Sequence, residues 1–353
     1  MNTKLLYVLS TSNEDTYYES ALISIFSAKS VMPNSWITLL IDDKTDLVLK
    51  KKGDQLLQYI SEIIIVKFKN EITKKVRSRL LKTNMRNHVS GDFLYIDCDT
   101  LIADSLTDIK DYDAPVAAVL DGHLKLNNHP VFDLFEKQNK YFDYPFEDIE
   151  RYYSSGVIYS KDCTEAKDFF SRWHENYKIG LQNGISQDQP SFSKTNYDSN
   201  DIIKEISGEW NCQIRLGGKY LKNLKILHFW SKRNMPISYL GSKEYLLELK
   251  EEGLSNKHKD IIRDYESTFF EPMGIVVNSD MQFNFSPLYE EVRQFYTTKE
   301  KQYLFNFHQI HNKLFEECTK TKLSMILYKI NKAIIKMELA LTRVLTKPNR
   351  REY

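Results

Sequence analysis

The chain has 353 residues, a formal net charge of +1 and 42% hydrophobic residues. This length suits one large α/β domain with an appendage, or two domains, and the hydrophobic content predicts a buried core rather than wholesale disorder. A charge so close to neutral gives no reason to expect nucleic acid as a partner.

The predicted elements of the first half alternate between strand and helix. In chain order they are a strand over 4–10 with a polar turn after it, a helix through 17–26, a strand over 36–41, a helical segment over 54–60, a strand over 63–66, a basic helical segment over 72–88, a strand leading to Asp97, and a strand over 115–120. Continuous apolar strands separated by helices are typical of a mostly parallel sheet with both faces covered.

The second half is less regular. Residues 132–144 are compatible with helix or loop, and Ser154-Ser155-Gly156 reads as a turn that feeds a short strand. An amphipathic helix is predicted over 163–177 and a last strand over 225–230.

Cysteine usage and the lack of long apolar stretches favour a cytoplasmic protein. No Cys-x-x-Cys pair occurs, which argues against a disulfide framework or a zinc ribbon. The apolar run 5–9 is too short for a signal peptide, and no stretch approaches the roughly 20 apolar residues that span a bilayer. The four cysteines are Cys98, Cys163, Cys212 and Cys318.

Two carboxylates, Asp97 and Asp99, follow the apolar strand that starts after Gly91. Ligands of open α/β sheets gather at the carboxyl ends of strands, and two Asp side chains there repel each other unless a cation lies between them. A divalent cation that also bridges to phosphates would satisfy both. A solvated turn in which Asp97 caps the next segment is the alternative.

The order of the motifs resembles the glycosyltransferases of family 8 and their relatives, which have the GT-A nucleotide-sugar fold. The resemblance covers about residues 4–236. It implies a mixed, mostly parallel sheet flanked by helices. The predicted domains are a transferase domain over 1–270, a helical extension over 271–319 and a basic amphipathic tail over 320–353. The elements that carry it are the first strand with its polar turn, Arg79, Tyr95-Ile96-Asp97-Cys98-Asp99, Ser155-Gly156, Asp188-Gln189 and a late strand with His228.

The resemblance implies a metal site made by Asp97, Asp99 and His228. Carboxylate oxygens with one imidazole suit Mn²⁺ or Mg²⁺. Such a cation would act as a Lewis acid on the departing nucleoside diphosphate. For His228, a buried and hydrogen-bonded histidine is the alternative.

The resemblance also assigns residues to the donor and to the sugar. Asp188 would help hold the donor sugar and Gln189 would lie near its reacting carbon, so both are the catalytic candidates, although Asp188 also suits a helix N-cap. Ser154 replaces the usual Asn of an Asn-Ser-Gly motif, which leaves the identity of the sugar open. The donor-binding candidates are Ser10, Thr11, Ser12, Tyr17, Arg79, Asp97, Cys98, Asp99, Ser154, Ser155 and Lys232. Ordinary turn chemistry also explains residues 10–12, and a solvated helix face also explains Arg79.

The largest departure from the family follows His228. The family commonly shows His-x-x-Gly-x-x-Lys-Pro, whereas Ser231 and Asn234 stand at the Gly and Lys positions here. Lys232 or Arg233 would then supply the positive charge for the diphosphate.

The C-terminal tail, residues 320–353, carries nine Lys or Arg against two Glu. Its basic and apolar residues recur at helical spacing on different faces, a pattern typical of a helix on an anionic membrane surface. Packing of the apolar face on protein is the alternative.

These features predict a metal-dependent glycosyltransferase that moves a sugar from a nucleoside-diphosphate donor, expected to be a UDP-sugar, to a glycan or lipid-linked acceptor. Family resemblance implies retention of configuration. Peripheral contact with the inner face of the plasma membrane is expected through the tail, and cell-surface glycan synthesis is the expected setting. A haloacid-dehalogenase-type phosphatase and an inert nucleotide-sugar-binding scaffold are the alternative functions.

Overall fold

The structure is a computed structural model that describes residues 3–53, 55–69, 72–129, 131–213, 218–229 and 238–269, together with the backbone of 273–277 and 280–284. The strands are β1 Lys4–Leu9, β2 Ile37–Asp42, β3 Glu62–Val66, β4 Phe93–Ile96, β5 Thr100–Ile102, β6 Val116–Leu120, β7 Tyr153–Ser160, β8 Ile203–Glu205, β9 Ile226–His228, β10 Met273–Val277 and β11 Asp280–Asn284. The helices are α1 Tyr17–Val31, α2 Asp43–Lys52, α3 Lys74–Thr83, α4 Phe132–Asn139, α5 Thr164–Gln182, α6 Gln189–Asp198, α7 Lys243–Glu252 and α8 Asn256–Arg263.

The main sheet has seven strands in the order β3-β2-β1-β4-β7-β6-β8. Strands β3, β2, β1 and β4 are parallel neighbours, β7 runs antiparallel to β4 and β6, and β8 is parallel to β6. Six strands therefore point one way and β7 points the other. The mixed, mostly parallel sheet predicted from the sequence is confirmed.

Strand β1 shows why the apolar runs form this sheet. Leu5, Tyr7 and Leu9 pack into one core cluster together with α1, and the alternate residues Leu6 and Val8 pack into a second cluster with α5. A strand that is buried on both faces needs apolar side chains at successive positions rather than at alternate ones. The aromatic face of α5 predicted to point inward, with Phe169, Phe170 and Trp173, is buried.

A second, small sheet pairs β5 antiparallel to β9, with Thr100 opposite His228. Because β5 follows β4 after only three residues, this pairing holds the segment 97–99 against the late strand that ends in His228.

One local prediction holds in part and another is wrong. The helical segment expected over 54–60 is present as the short 3₁₀ helix Leu57–Tyr59, and the longer helix α2 precedes it, because the Asp42 side chain accepts a hydrogen bond from the Thr45 N–H and caps it. Helix α2 buries few apolar side chains, so its sequence has little helical periodicity. Residues 154–156 lie inside β7 instead of a turn, since this strand is paired on both sides.

The described part of residues 271–319 consists of the two strands β10 and β11, which pair with each other. The rest of that segment, the tail 320–353 and Lys232 lie outside the described residues. Among the described residues, no helix has the length and apolar character that a membrane crossing requires.

Candidate active site at the carboxyl edge of the sheet

The candidate site lies where β4 ends and β7 begins. The Asp97 N–H donates to the Gly156 carbonyl at 2.8 Å, which continues the β4–β7 ladder by one residue. Because β7 runs antiparallel to β4, its first residues reach the edge at which the parallel strands end. The antiparallel direction of β7 thus brings Ser154, Ser155 and Gly156 beside Asp97.

Asp97, Asp99 and His228 come together as the resemblance implies. Each offers one ligand atom, and these three atoms lie within 4.8 Å of one another. His228 Nε2 lies 3.4 Å from Asp99 Oδ1, and the Phe229 N–H donates to the Asp99 carbonyl at 3.0 Å. The backbone of the small sheet therefore sets the position of both side chains.

Gly156 provides the space that His228 occupies. A Cβ atom at this position would lie 2.5 Å from Cε1 of His228 and 3.2 Å from Oδ2 of Asp97. No side chain fits there unless one of the two neighbours moves. The glycine acts here through close approach of neighbouring side chains.

The electrostatics of the three side chains suit a divalent cation. Burial acts to lower the pKa of His228, but the charge of Asp99 and a hydrogen bond to it, with Asp97 in addition, raise it above its usual value. Desolvation acts to raise the pKa of Asp99, but His228 lowers it to about 2. A locally negative potential around an imidazole is the setting that a hard or borderline cation favours. The donor set therefore fits Mn²⁺ or Mg²⁺.

Asn211 orients the imidazole of His228. Its Oδ1 lies 2.8 Å from Nδ1 of His228, and its Nδ2 donates to Ser154 Oγ at 3.1 Å. Because an amide oxygen only accepts, Nδ1 of His228 carries a proton, and Nε2 is the nitrogen that faces Asp99; in the neutral tautomer that this contact sets, Nε2 holds the lone pair. This tautomer is the one that ligates a metal through Nε2.

Asn211 belongs to a buried polar network on the floor of the site. Gln213 Nε2 donates to Ser154 Oγ at 3.1 Å and to Asp121 Oδ1 at 3.2 Å, and the Gly122 N–H donates to Gln213 Oε1 at 2.8 Å. All of these side chains are buried. Buried polar groups with satisfied partners hold one arrangement, so this network fixes the floor on which Ser154 lies.

Lys82 is a buried cation between two carboxylates. Its Nζ lies 3.3 Å from Asp97 Oδ1 and 2.9 Å from Asp188 Oδ2, and it donates to Ser155 Oγ at 3.2 Å. Its side chain is 2% exposed. The Tyr95 hydroxyl also donates to Asp97 Oδ1. Lys82 thus links the metal side of the site to the predicted sugar side.

Asp188 is ionised and held by the chain's own cations. Arg79 Nε lies 2.9 Å from its Oδ1, and the Ser155 hydroxyl donates to its Oδ2 at 2.8 Å. Burial opposes ionisation, but Arg79 and Lys82 hold the pKa of Asp188 well below its usual range. Since a carboxylate has about four acceptor positions, these three contacts leave room for one further donor. Gln189 is half-buried at the first position of α6.

The residues predicted to contact the nucleotide, Ser10, Thr11 and Ser12, differ in their hydrogen bonding. Thr11 and Ser12 donate their hydroxyls to Asp15, at 2.7 Å and 2.8 Å, and Lys74 pairs with the same carboxylate. Ser10 Oγ is buried and has no hydrogen-bond partner among the described residues. Burial acts to raise the pKa of Asp15, but Lys74 and the two hydroxyls lower it to about 2.

The two remaining donor candidates, Tyr17 and Cys98, differ in how exposed their side chains are. Tyr17 is exposed at the start of α1, with Lys74 Nζ 5.2 Å from its ring centroid. Cys98 is half-buried, and its thiol donates to the Val8 carbonyl at 3.4 Å. Burial raises the pKa of this thiol well above its usual value, so it stays protonated.

Sequence reasoning missed several residues of the site. The sequence does hold a signal for Lys82, because it lies three positions after Arg79 and so shares a face of α3 with this candidate. Asn211, Gln213 and Asp121 have no local signal, because only the tertiary fold brings them to Ser154. Asp15 cannot be told apart in the sequence from the other polar residues of its turn.

Three solved structures to which the chain is similar are glycosyltransferases, the class that the sequence resemblance predicts. Mouse xyloside xylosyltransferase 1 in its apo form has 12% identity and a TM-score of 0.43, over 65% of this chain and 97% of that one. The galactosyltransferase LgtC in complex with donor and acceptor sugar analogs has 12% identity and a TM-score of 0.46, over 71% and 96%. The glycosyltransferase GlyE of Streptococcus pneumoniae TIGR4 has 16% identity and a TM-score of 0.46, over 76% and 65%.

No protein-family model and no curated protein matches the sequence. Identities and TM-scores as low as those of the three structures carry no argument for an activity. The function proposed for this chain therefore rests on the geometry of its own site.

Proposed function

We propose that this protein is a metal-dependent glycosyltransferase that uses a nucleoside-diphosphate sugar. The observation that carries the proposal is the meeting of two groups at one edge of the sheet. One is the ligand set Asp97, Asp99 and His228, and the other is the buried carboxylate Asp188 with its two cations. The first group suits a metal-bound diphosphate and the second suits a polar, uncharged sugar.

On the diphosphate side, Asp97, Asp99 and His228 would hold Mn²⁺ or Mg²⁺, which would neutralise charge on the leaving nucleoside diphosphate. Lys82 compensates the charge of Asp97 from the protein side, at 3.3 Å. Asn211 keeps the Nε2 lone pair of His228 directed at the metal position. Ser10, whose hydroxyl is buried without a hydrogen-bond partner among the described residues, is a further donor-side candidate.

On the sugar side, Asp188 would accept one hydrogen bond from a sugar hydroxyl while Arg79 and Lys82 keep it ionised. A carboxylate with a pKa held this low serves for positioning and charge stabilisation, and it is unsuited to donating a proton at neutral pH. We assign proton transfer to no residue of the site. Gln189 begins α6 directly after Asp188 and is the second sugar-side candidate.

The finer specificity is part of the same proposal. We expect a UDP-sugar donor, a glycan or lipid-linked acceptor and retention of configuration, all on the strength of the sequence resemblance. The replacement of Asn by Ser154 leaves the sugar open, but Ser154 is not an isolated substitution. Its hydroxyl receives hydrogen bonds from both Asn211 and Gln213, so a specific polar floor stands in place of the missing amide.

The test is release of nucleoside diphosphate from a panel of nucleotide sugars, with Mn²⁺ or Mg²⁺ and with EDTA. We expect slow metal-dependent hydrolysis of at least one donor, and faster transfer when an acceptor is present. Asp99→Asn should reduce turnover about 100-fold or more, because it removes a charged metal ligand. The variant should still fold, since the Asp99 side chain is largely exposed. Asp168→Asn, an exposed carboxylate of α5, is the matched control and should retain activity.

Four results would contradict the proposal. Equal turnover in EDTA, or full activity of Asp99→Asn, would remove the metal from the reaction. Tight UDP binding without turnover across broad acceptor pools would indicate the inert scaffold. Phosphate release from simple phosphate esters, abolished by Asp97→Asn, would indicate the phosphatase.

A further inference from the structure

A second cluster of metal-ligating side chains lies away from the candidate active site, on α7 and α8. Glu248 and Glu252 are four residues apart on α7, so they share one face of that helix. His258 lies in the first turn of α8. One ligand atom from each of the three side chains lies within 4.8 Å of the other two.

His258 supplies the observation that points to a ligand. The residue is fully buried, and its Nε2 has no hydrogen-bond partner among the described residues. This atom is directed at the two carboxylates, 3.7 Å from Glu248 Oε1 and 3.8 Å from Glu252 Oε2. Both distances are too long for hydrogen bonds, and a buried polar atom without a partner is destabilising. A cation between the three groups would satisfy all of them.

The surrounding contacts orient the side chains as metal ligands need to be oriented. Nδ1 of His258 lies 2.7 Å from Ser255 Oγ, a hydroxyl able to accept a hydrogen bond from it, and in that tautomer the Nε2 lone pair is directed at the carboxylates. The Tyr239 hydroxyl donates to Glu248 Oε2 at 2.9 Å, which leaves Oε1 for a cation. Outer hydrogen bonds of this kind fix both tautomer and carboxylate orientation in metal sites.

Lys257 forms an ion pair with this cluster, as expected near two carboxylates. Its ammonium lies 2.5 Å from Glu248 Oε1, while its side chain remains 62% exposed. An exposed ion pair of this kind contributes little to stability, so a divalent cation can displace the ammonium. Lys257 is therefore a competitor for the site and not a barrier to it.

We propose that Glu248, Glu252 and His258 form a divalent-cation site whose preferred occupant is Zn²⁺. One imidazole and two carboxylates leave a fourth tetrahedral position for water, and Zn²⁺ accepts that donor set. Ligands at about 2.0–2.1 Å from a tetrahedral ion lie about 3.4 Å from each other. The 3.7 Å and 3.8 Å separations are thus a few tenths of an ångström wider than the bound arrangement.

The site would connect α7 to α8 across the turn at Gly253, and it does not depend on the proposed transferase activity. Its role would be structural, since the described contacts of His258, including the ring of Tyr245 with centroids 5.6 Å apart, come from α7, α8 and the N-cap of α8. Binding to the folded chain alone would raise its resistance to thermal unfolding.

The experiment is a Zn²⁺ titration of the full chain that carries Asp99→Asn, so that the first metal site is weakened in every sample. We expect one equivalent of Zn²⁺ to bind, with a rise in the temperature of unfolding. Adding Glu252→Gln or His258→Gln should weaken binding at least tenfold and abolish the rise. Glu251→Gln, an exposed neighbour outside the cluster, is the matched control and should bind as the Asp99→Asn chain does.

Two binding results would overturn the proposal. One is the absence of Zn²⁺ binding to the Asp99→Asn chain. The other is unchanged binding in the Glu252→Gln variant, which keeps the fold because Glu252 is 52% exposed. X-ray absorption of the bound Zn²⁺ should show one nitrogen among oxygen neighbours, and a sulfur neighbour would also exclude the site.

Discussion

Asn211 Oδ1 lies 2.8 Å from Nδ1 of His228, and this contact decides which nitrogen of the imidazole faces Asp99. The two residues are far apart in sequence, so no local sequence pattern reveals the contact. The contact makes Asn211 a positioning residue, since it acts on the metal position only through His228.

Replacing Asn211 by Ala should weaken Mn²⁺ binding by about 10- to 100-fold, the usual effect of removing an outer partner of a metal-bound histidine. The measurement is a Mn²⁺ titration of nucleotide-free protein, followed by the Mn²⁺ concentration needed for half-maximal turnover. Asn87→Ala, an exposed asparagine, is the control. Loss of turnover at saturating Mn²⁺ with unchanged Mn²⁺ affinity would contradict the positioning role.

Gly156→Ala should abolish metal-dependent turnover while the chain still folds. The added Cβ would lie 2.5 Å from His228 Cε1, so the imidazole must leave its position. Overpacking of this kind costs about 1–3 kcal/mol of the free energy of unfolding. Urea denaturation measures the stability and nucleoside diphosphate release measures the activity. Normal turnover in this variant would show that His228 does not need its observed position.

Lys82→Met should reduce both stability and activity, because it leaves Asp97 and Asp188 without their shared cation. Removing one partner of a buried charge pair costs about 3–5 kcal/mol. Lys75→Met, on the exposed face of the same helix, should change the urea midpoint little. Equal midpoints for the two variants would mean that the buried charges are compensated in another way.

His174 should make stability depend on pH below neutrality. Burial lowers the pKa of this imidazole to about 4, while its usual value is about 6.5. Between these two values the unfolded chain binds more protons than the folded one, so the free energy of unfolding falls as the pH falls from 6.5 to 4.

His174→Gln should therefore flatten the pH profile of the urea midpoint over that window. Its Nδ1 contacts Thr83 Oγ1 at 2.8 Å, a contact that glutamine can replace in part. Parallel profiles for wild type and variant would show that other groups cause the acid sensitivity.

The basic tail predicts binding to anionic vesicles that weakens with salt. Each basic residue near such a surface contributes about 1 kcal/mol. Replacing Lys329, Lys332 and Lys336 by Gln in the full chain should reduce sedimentation with anionic vesicles and leave neutral vesicles unaffected. Unchanged sedimentation would favour packing of the tail on protein.

The sequence predicts the strands well because burial on both faces demands continuous apolar runs, as in β1 and β4. Through Asp97-Cys98-Asp99 and a late histidine it also predicts that Asp97, Asp99 and His228 lie together, as they do. It does not predict the burial of Lys82, which looks like one more charge on a basic helix until α3 packs against the sheet edge. Helix α2 is missed for a related reason, since its few buried side chains leave only its N-cap as a signal.

The position of Lys82 between Asp97 and Asp188 affects how strongly a metal ion and a diphosphate would favour each other's binding. An ammonium 3.3 Å from Asp97 already neutralises part of the charge that a metal ion would use, so the metal alone gains less from the site. A nucleoside diphosphate adds new negative charge and restores that gain. We therefore expect positive thermodynamic coupling, in which each of the two ligands raises the affinity for the other by the same factor.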